Sequence, residues 1–102
     1  MARPRTDLQA LLRSILGDRY VYFQPPSTVK MTYPCIVYER SKIDGNHADN
    51  LVYKTKVQYT VTAIYTDPDS TLPFELAKIP TAKHSSHFVS DNLYHDVFTI
   101  FY

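Results

Sequence analysis

The sequence predicts an α+β fold: a mainly antiparallel sheet with one long central strand, carrying an N-terminal helix and a second short helix on one face. Three observations predict it. Residues 53–65, YKTKVQYTVTAIY, alternate with a period of two: Tyr53, Val57, Tyr59, Val61, Ala63 and Tyr65 fall on one side, Lys54, Lys56, Gln58, Thr60 and Thr62 on the other, with one slip at Ile64. Successive strand side chains point to opposite faces, so this run has one apolar, aromatic face and one basic, hydroxylic face. Residues 6–16 instead carry Leu8, Leu11, Leu12, Ile15 and Leu16 at helical spacing, one stripe that must dock to be stable. The rest breaks into short extended runs between turn signals, with helical spacing only after Pro68.

The helix 6–16 has its own start and stop signals. Thr6 followed by Gln9 matches a capping box, and Gly17 sits where a helix ends in the left-handed conformation. Residues 20–23 read as a short strand, ended by Gln24-Pro25-Pro26-Ser27, since proline cannot donate to a ladder. Tyr33-Pro34 leads into a strand over 35–41. Residues 42–50, KIDGNHADN, contain Asp44-Gly45-Asn46 and Ala48-Asp49-Asn50 and read as a long exposed tip between antiparallel arms. The 53–65 strand follows and stops at Asp67-Pro68-Asp69. Ser70 is placed to cap a helix running to about Lys78, with Pro73 in its first turn and Pro80 closing it. Residues 84–89 are extended, Ser90-Asp91-Asn92 turns, and residues 93–102 form a last strand, apolar on both faces near Phe98, Ile100, Phe101 and Tyr102.

The 102 residues fit one domain, 1–102. Eleven basic and ten acidic residues give a net charge of +1, too balanced for a protein that grips a polyanion through a basic face. Nine tyrosines without a tryptophan suit interfaces as well as cores. Cys35 stands alone, so no internal disulfide forms. The N-terminal residues lack an apolar signal segment, and no run has the length of a membrane span; the expectation is a soluble chain made in the cytoplasm.

Catalytic and metal chemistry finds little footing. Cys35 lies between Pro34 and Ile36, the setting of a small core residue rather than a nucleophile, and no local signature ties it to a histidine. His84 and His87 are three apart on an extended segment and so should face opposite ways, against a shared metal; His95 follows at a distance. His47 with Asp44 and Asp49 reads as solvated loop. Two glycines leave no phosphate-cradling loop. Lys54 and Lys56 read as a solvated or edge-protecting strand face. The residues themselves thus describe a non-catalytic interaction domain with no cofactor and no metal.

An ordered set of motifs adds to this. Tyr22-Phe23-Gln24-Pro25-Pro26, Tyr33-Pro34-Cys35-Ile36-Val37-Tyr38, Ala48-Asp49-Asn50 leading to Tyr53, Tyr59-Thr60-Val61-Thr62 ending at Asp67-Pro68-Asp69-Ser70, Asp91-Asn92-Leu93-Tyr94-His95 and Phe98-Thr99-Ile100-Phe101-Tyr102 resemble, in order and spacing, the tail terminator (tail completion, head-tail joining) proteins of long-tailed bacteriophages. The resemblance spans most of the chain from Tyr22. It implies a structural virion protein, not an enzyme. Its subunits would form a hexameric ring at the head-proximal end of the tail tube, stop tube growth and offer a joining surface to the neck. The implied partners are further copies of the chain, the tail tube protein and a neck or head-completion protein. Genomic DNA would pass the lumen without specific binding, no membrane is involved, and the chain would reside in the host cytoplasm during assembly and in the virion tail afterwards. Ring contacts are heterologous. The expected interface residues are Lys42, Asp44, His47, Asp49 and Asn50 on the tip, for tube or neck, and Phe101 and Tyr102 on the last strand, with an edge of helix 6–16; Asp44 and Asp49 would suit a lumen wall. Three readings compete: another neck protein, a nucleic-acid module using Tyr53, Lys54, Lys56 and Tyr59, and a small hydrolase using Cys35.

Overall fold

The computed structural model describes residues 4–17, 20–25, 30–48 and 51–102, with side chains withheld for residues 44–48 and 51–56. In chain order come helix α1 (Arg5–Leu16), strands β1 (Val21–Phe23), β2 (Cys35–Ala48) and β3 (Leu51–Tyr65), helix α2 (Leu72–Ala77), and strands β4 (Lys83–Ser90) and β5 (Leu93–Phe101). One five-stranded sheet runs β1-β2-β3-β5-β4. β1 pairs parallel with β2 and every other pair is antiparallel, so the sheet is mixed.

The alternation read from residues 53–65 sets the layers. Tyr59, Val61, Ala63 and Tyr65 of β3 are buried, and so are their register partners Ile36 and Tyr38 on β2 and Phe98 and Ile100 on β5. These side chains form one core with Leu8 and Leu12 of α1 and with Leu72, Leu76 and Ile79 in and after α2. The slip at Ile64 has a counterpart: Ile64 pairs with Cys35, and both are buried on the opposite face. Cys35 is 0% exposed and burial pushes its thiol up to about 12.

Helix α1 ends as its sequence indicates. Gly17 takes φ 75°, a conformation costly for other residues, and donates its N–H to the Arg13 carbonyl at 2.8 Å. Its start differs. Pro4 is the N-cap, with no side-chain cap bond, and the Thr6–Gln9 capping box is not formed. Gln9 instead tethers the helix to the sheet: Nε2 donates to the Val21 carbonyl at 3.1 Å and Oε1 accepts from the Tyr38 hydroxyl. Arg5 donates to the same hydroxyl at 2.9 Å and lays its guanidinium over the Phe23 ring. A buried phenol needs partners, and that demand outweighs a local cap.

The second departure is at residues 42–50. They are not a long loop: β2 runs through to Ala48 and β3 resumes at Leu51, so the turn signal at Asp44-Gly45-Asn46 lies within a strand. Lys56, Thr55 and Lys54 of β3 pair opposite those residues, and a continuous partner satisfies backbone groups that a turn would leave open. Asp49 and Asn50 lie outside the described residues. Beyond Gln58, where pairing with β5 ends, β2 and β3 continue as a two-stranded ribbon. At about 3.3 Å per residue it projects roughly 23 Å, and the molecule measures 51 × 27 × 23 Å.

Leu12 is fully buried in this core, so Leu12→Ala should lower stability by about 3 kcal/mol, read as a shift in urea midpoint with unchanged slope.

Candidate functional site

The most differentiated group of polar side chains lies where β4, β5 and β3 face α2. It is assembled by one extra residue. The register of β4 on β5 runs His84 to Phe98, then Ser86 to Val97, then His87 to Asp96, with a bulge between His84 and Ser86. Three residues on β4 thus span two on β5. Phe98 and Asp96 are two apart and share a face, so His84 and His87 share it too. This corrects the expectation that their i, i+3 spacing would set them on opposite faces: a bulge inserts a residue and reverses the alternation.

Both imidazoles meet one carboxylate oxygen. His84 Nε2 and His87 Nδ1 each lie 2.9 Å from Asp96 Oδ1, while the Tyr65 hydroxyl donates to Oδ2. Asp96 is buried, 5% exposed, and the two histidines are about half exposed. An ionised carboxylate only accepts, so each histidine donates from the named nitrogen, leaving His84 Nδ1 and His87 Nε2 turned elsewhere. Burial raises the Asp96 carboxyl, but the bonds from Tyr65, His84 and His87 and the nearby His87 charge outweigh it, and the net shift is downward. Tyr65 moves the other way, up to about 12, through burial and then its bond to Asp96. Phe98 meets the His84 ring edge-on at 5.1 Å and Tyr94 stacks on Tyr65 at 5.5 Å.

The cluster floors a cavity of about 430 Å³ whose opposite wall is Pro73, Phe74 and Ala77 of α2. Phe74 is 70% exposed at its rim. The imidazole N–H groups are spent on Asp96, and among the described residues no group of three or more ligating side chains is set to hold a metal ion. Ser70 also lines the cavity, but its hydroxyl accepts from the Leu72 N–H at 3.3 Å. Cys35 is on the other side of the sheet from His84 and His87. His95, on Cys35's face, bonds the Leu93 carbonyl and stacks on Phe88 at 4.6 Å. The arrangement is a structural hydrogen-bond hub beside an apolar recess.

The interface residues expected from the sequence separate into two places. Lys42 and Phe101 both pair with Gln58, on β2 and β5 respectively, and so stand level at the root of the ribbon. Tyr102 is half-buried against the core and donates its N–H to the Val57 carbonyl at 3.1 Å. Asp44 and His47 lie farther out on the ribbon, opposite Lys56 and Val52, their side chains outside the described set. Asp49 and Asn50 are outside the described residues altogether. The Asp96 hub escapes the sequence because the bulge that assembles it is invisible to a count of spacing; the available cue is an acidic residue within the strand run YHDVF.

Compared with known proteins, the chain matches no family model and no curated sequence.

The lowered carboxyl gives a signed expectation. The folded value lies below the unfolded one, so Asp96 contributes its full stability above about pH 4 and loses it as pH falls through the folded value. Urea unfolding between pH 7 and pH 2 should show wild type losing stability in that acid window. Asp96→Asn, which does not titrate, should start less stable by about 2 kcal/mol and lose less on acidification.

Proposed function

We propose that residues 1–102 form one subunit of a tail-terminator ring: a non-enzymatic virion protein that caps the head-proximal end of a phage tail tube, halts its growth and presents a surface to the neck. In this reading the long β3 is the central strand of the subunit and both helices cover one face of its sheet, leaving the rest for neighbours.

The β2–β3 ribbon carries the reading. A two-stranded ribbon is marginal in water by itself, and its projection beyond the core suits a protein whose work is contact with other chains. The exposed strand β4 at the sheet edge and the exposed Phe74, Phe88 and Val89 offer further contact surface. The balanced charge suits a lumen through which DNA passes without adhering. Against the hydrolase alternative stands a sealed Cys35. Against the nucleic-acid module stands Tyr59, which is 3% exposed and packed in the core, where no base can stack on it.

Electron microscopy of particles assembled without this protein tests the proposal. Filled heads beside detached, overlong or irregular tubes are expected. Normal joined tails would overturn it, and tails of normal length that fail to join would identify a neck protein instead.

A further inference from the structure

The sheet has unequal edges. On one side β4 ends it with eight residues, all exposed. On the other, β1 covers β2 for three residues, Ile36 to Tyr38. Gln24 extends that cover slightly: its N–H donates to the Tyr38 carbonyl at 2.9 Å and its side-chain Oε1 accepts the Arg40 N–H at 3.4 Å. From Ile43 to Ala48, no strand among the described residues pairs with the outer side of β2. The chain therefore presents two open strand edges, residues 83–90 of β4 and residues 43–48 of β2, one on each side of one sheet.

Strand direction makes the two edges complementary. β2 is antiparallel to β3, β3 to β5 and β5 to β4, so β4 runs opposite to β2. Two copies set side by side, the same way up, bring β4 of one against the outer edge of β2 in the other as an antiparallel pair. The outer edge of β3 in the ribbon does not do this: it lies on the same side of the sheet as β4, and a neighbour would have to be inverted. Each need also answers the other. A ribbon of two strands wants a third, and an open edge strand pairs with another chain unless it is blocked.

We propose that the ribbon of one copy, through residues 43–48 of β2, adds as a strand to β4 of the next copy, and that this exchange is the repeating contact of the assembly. The inference rests on the ring reading above and specifies its interface. The contact is heterologous: each subunit gives one edge and receives at the other, which closes into a ring or runs on as a filament. β4 lies level with residues 60–65 of β3, whereas the ribbon rises past Gln58. Each copy is therefore stepped along its strands relative to the next, and the strands tilt to the ring axis, as closure of any staggered sheet requires.

Paired cysteines test the contact. Ile43→Cys on the ribbon, where the native side chain is 59% exposed, is combined in turn with Ser85→Cys, Ser86→Cys and Val89→Cys on β4. Cys35 is sealed and stays silent, and circular dichroism checks that each variant is folded. After mild oxidation at least one double variant should climb a ladder of covalent oligomers, while the single variants stay unlinked. Dimers from a β4 cysteine alone would overturn the inference in favour of a twofold edge pair. Rings seen by native mass spectrometry with no link in any pair would overturn it while leaving the ring reading intact. A chain that stays monomeric at every concentration would overturn it too, and the tail micrographs would then decide the ring reading separately.

Discussion

β3 must satisfy two unlike neighbours at once, and the remaining layers follow from how it does so. Its odd-numbered side chains enter a core that β2 and β5 complete at matching register positions. A slip of one residue in either ladder would turn Tyr59, Val61, Ala63 and Tyr65 out to solvent, at a cost comparable to the whole stability of a domain, about 5–15 kcal/mol. That penalty fixes which face the helices can cover. It fixes Asp96 beside Ala63, within reach of Tyr65. It also fixes the height at which pairing with β5 ends and the ribbon is left to continue.

The elements legible in the sequence were those whose signal is periodic and local. The stripe of Leu8, Leu12 and their neighbours, the alternation of residues 53–65, the turn at Asp91-Asn92 and the stop at Gly17 all express backbone geometry through side-chain order. In the structure Asp91 and Asn92 both take positive φ, 53° and 62°, the pair of left-handed residues that a tight two-residue hairpin requires. What the sequence concealed were outcomes of competition between distant groups. Gln9 had a local use as a cap and a remote one at Val21 and Tyr38, and the buried phenol prevailed. Asp44-Gly45-Asn46 had a local use as a turn, and a long partner strand prevailed. The parallel pairing of β1 with β2 is likewise absent from either segment taken alone.

The Asp96 hub illustrates the same limit from the side of chemistry. Three donors around one carboxylate leave the group satisfied although it sits among aromatic rings. A satisfied buried ion specifies geometry more than it adds stability: it holds β3, β4 and β5 in one relative placement, because only there do the phenol and both imidazoles reach it. Its floor position beneath the α2 recess reads as framework.

The bulge at Ser85 sets the phase of β4, as the register shifts between Arg40 and Lys42 and between Asn46 and His47 do for β2. Along most of the sheet the chain tolerates a change of residue better than a change of phase, but both neighbours can in principle be repacked. Here the surplus residue is itself the device. Losing it would restore plain alternation and send one imidazole to the far face; gaining a second would undo the first. Over evolutionary time this segment should therefore be rigid in length, with insertions and deletions displaced to the turns on either side.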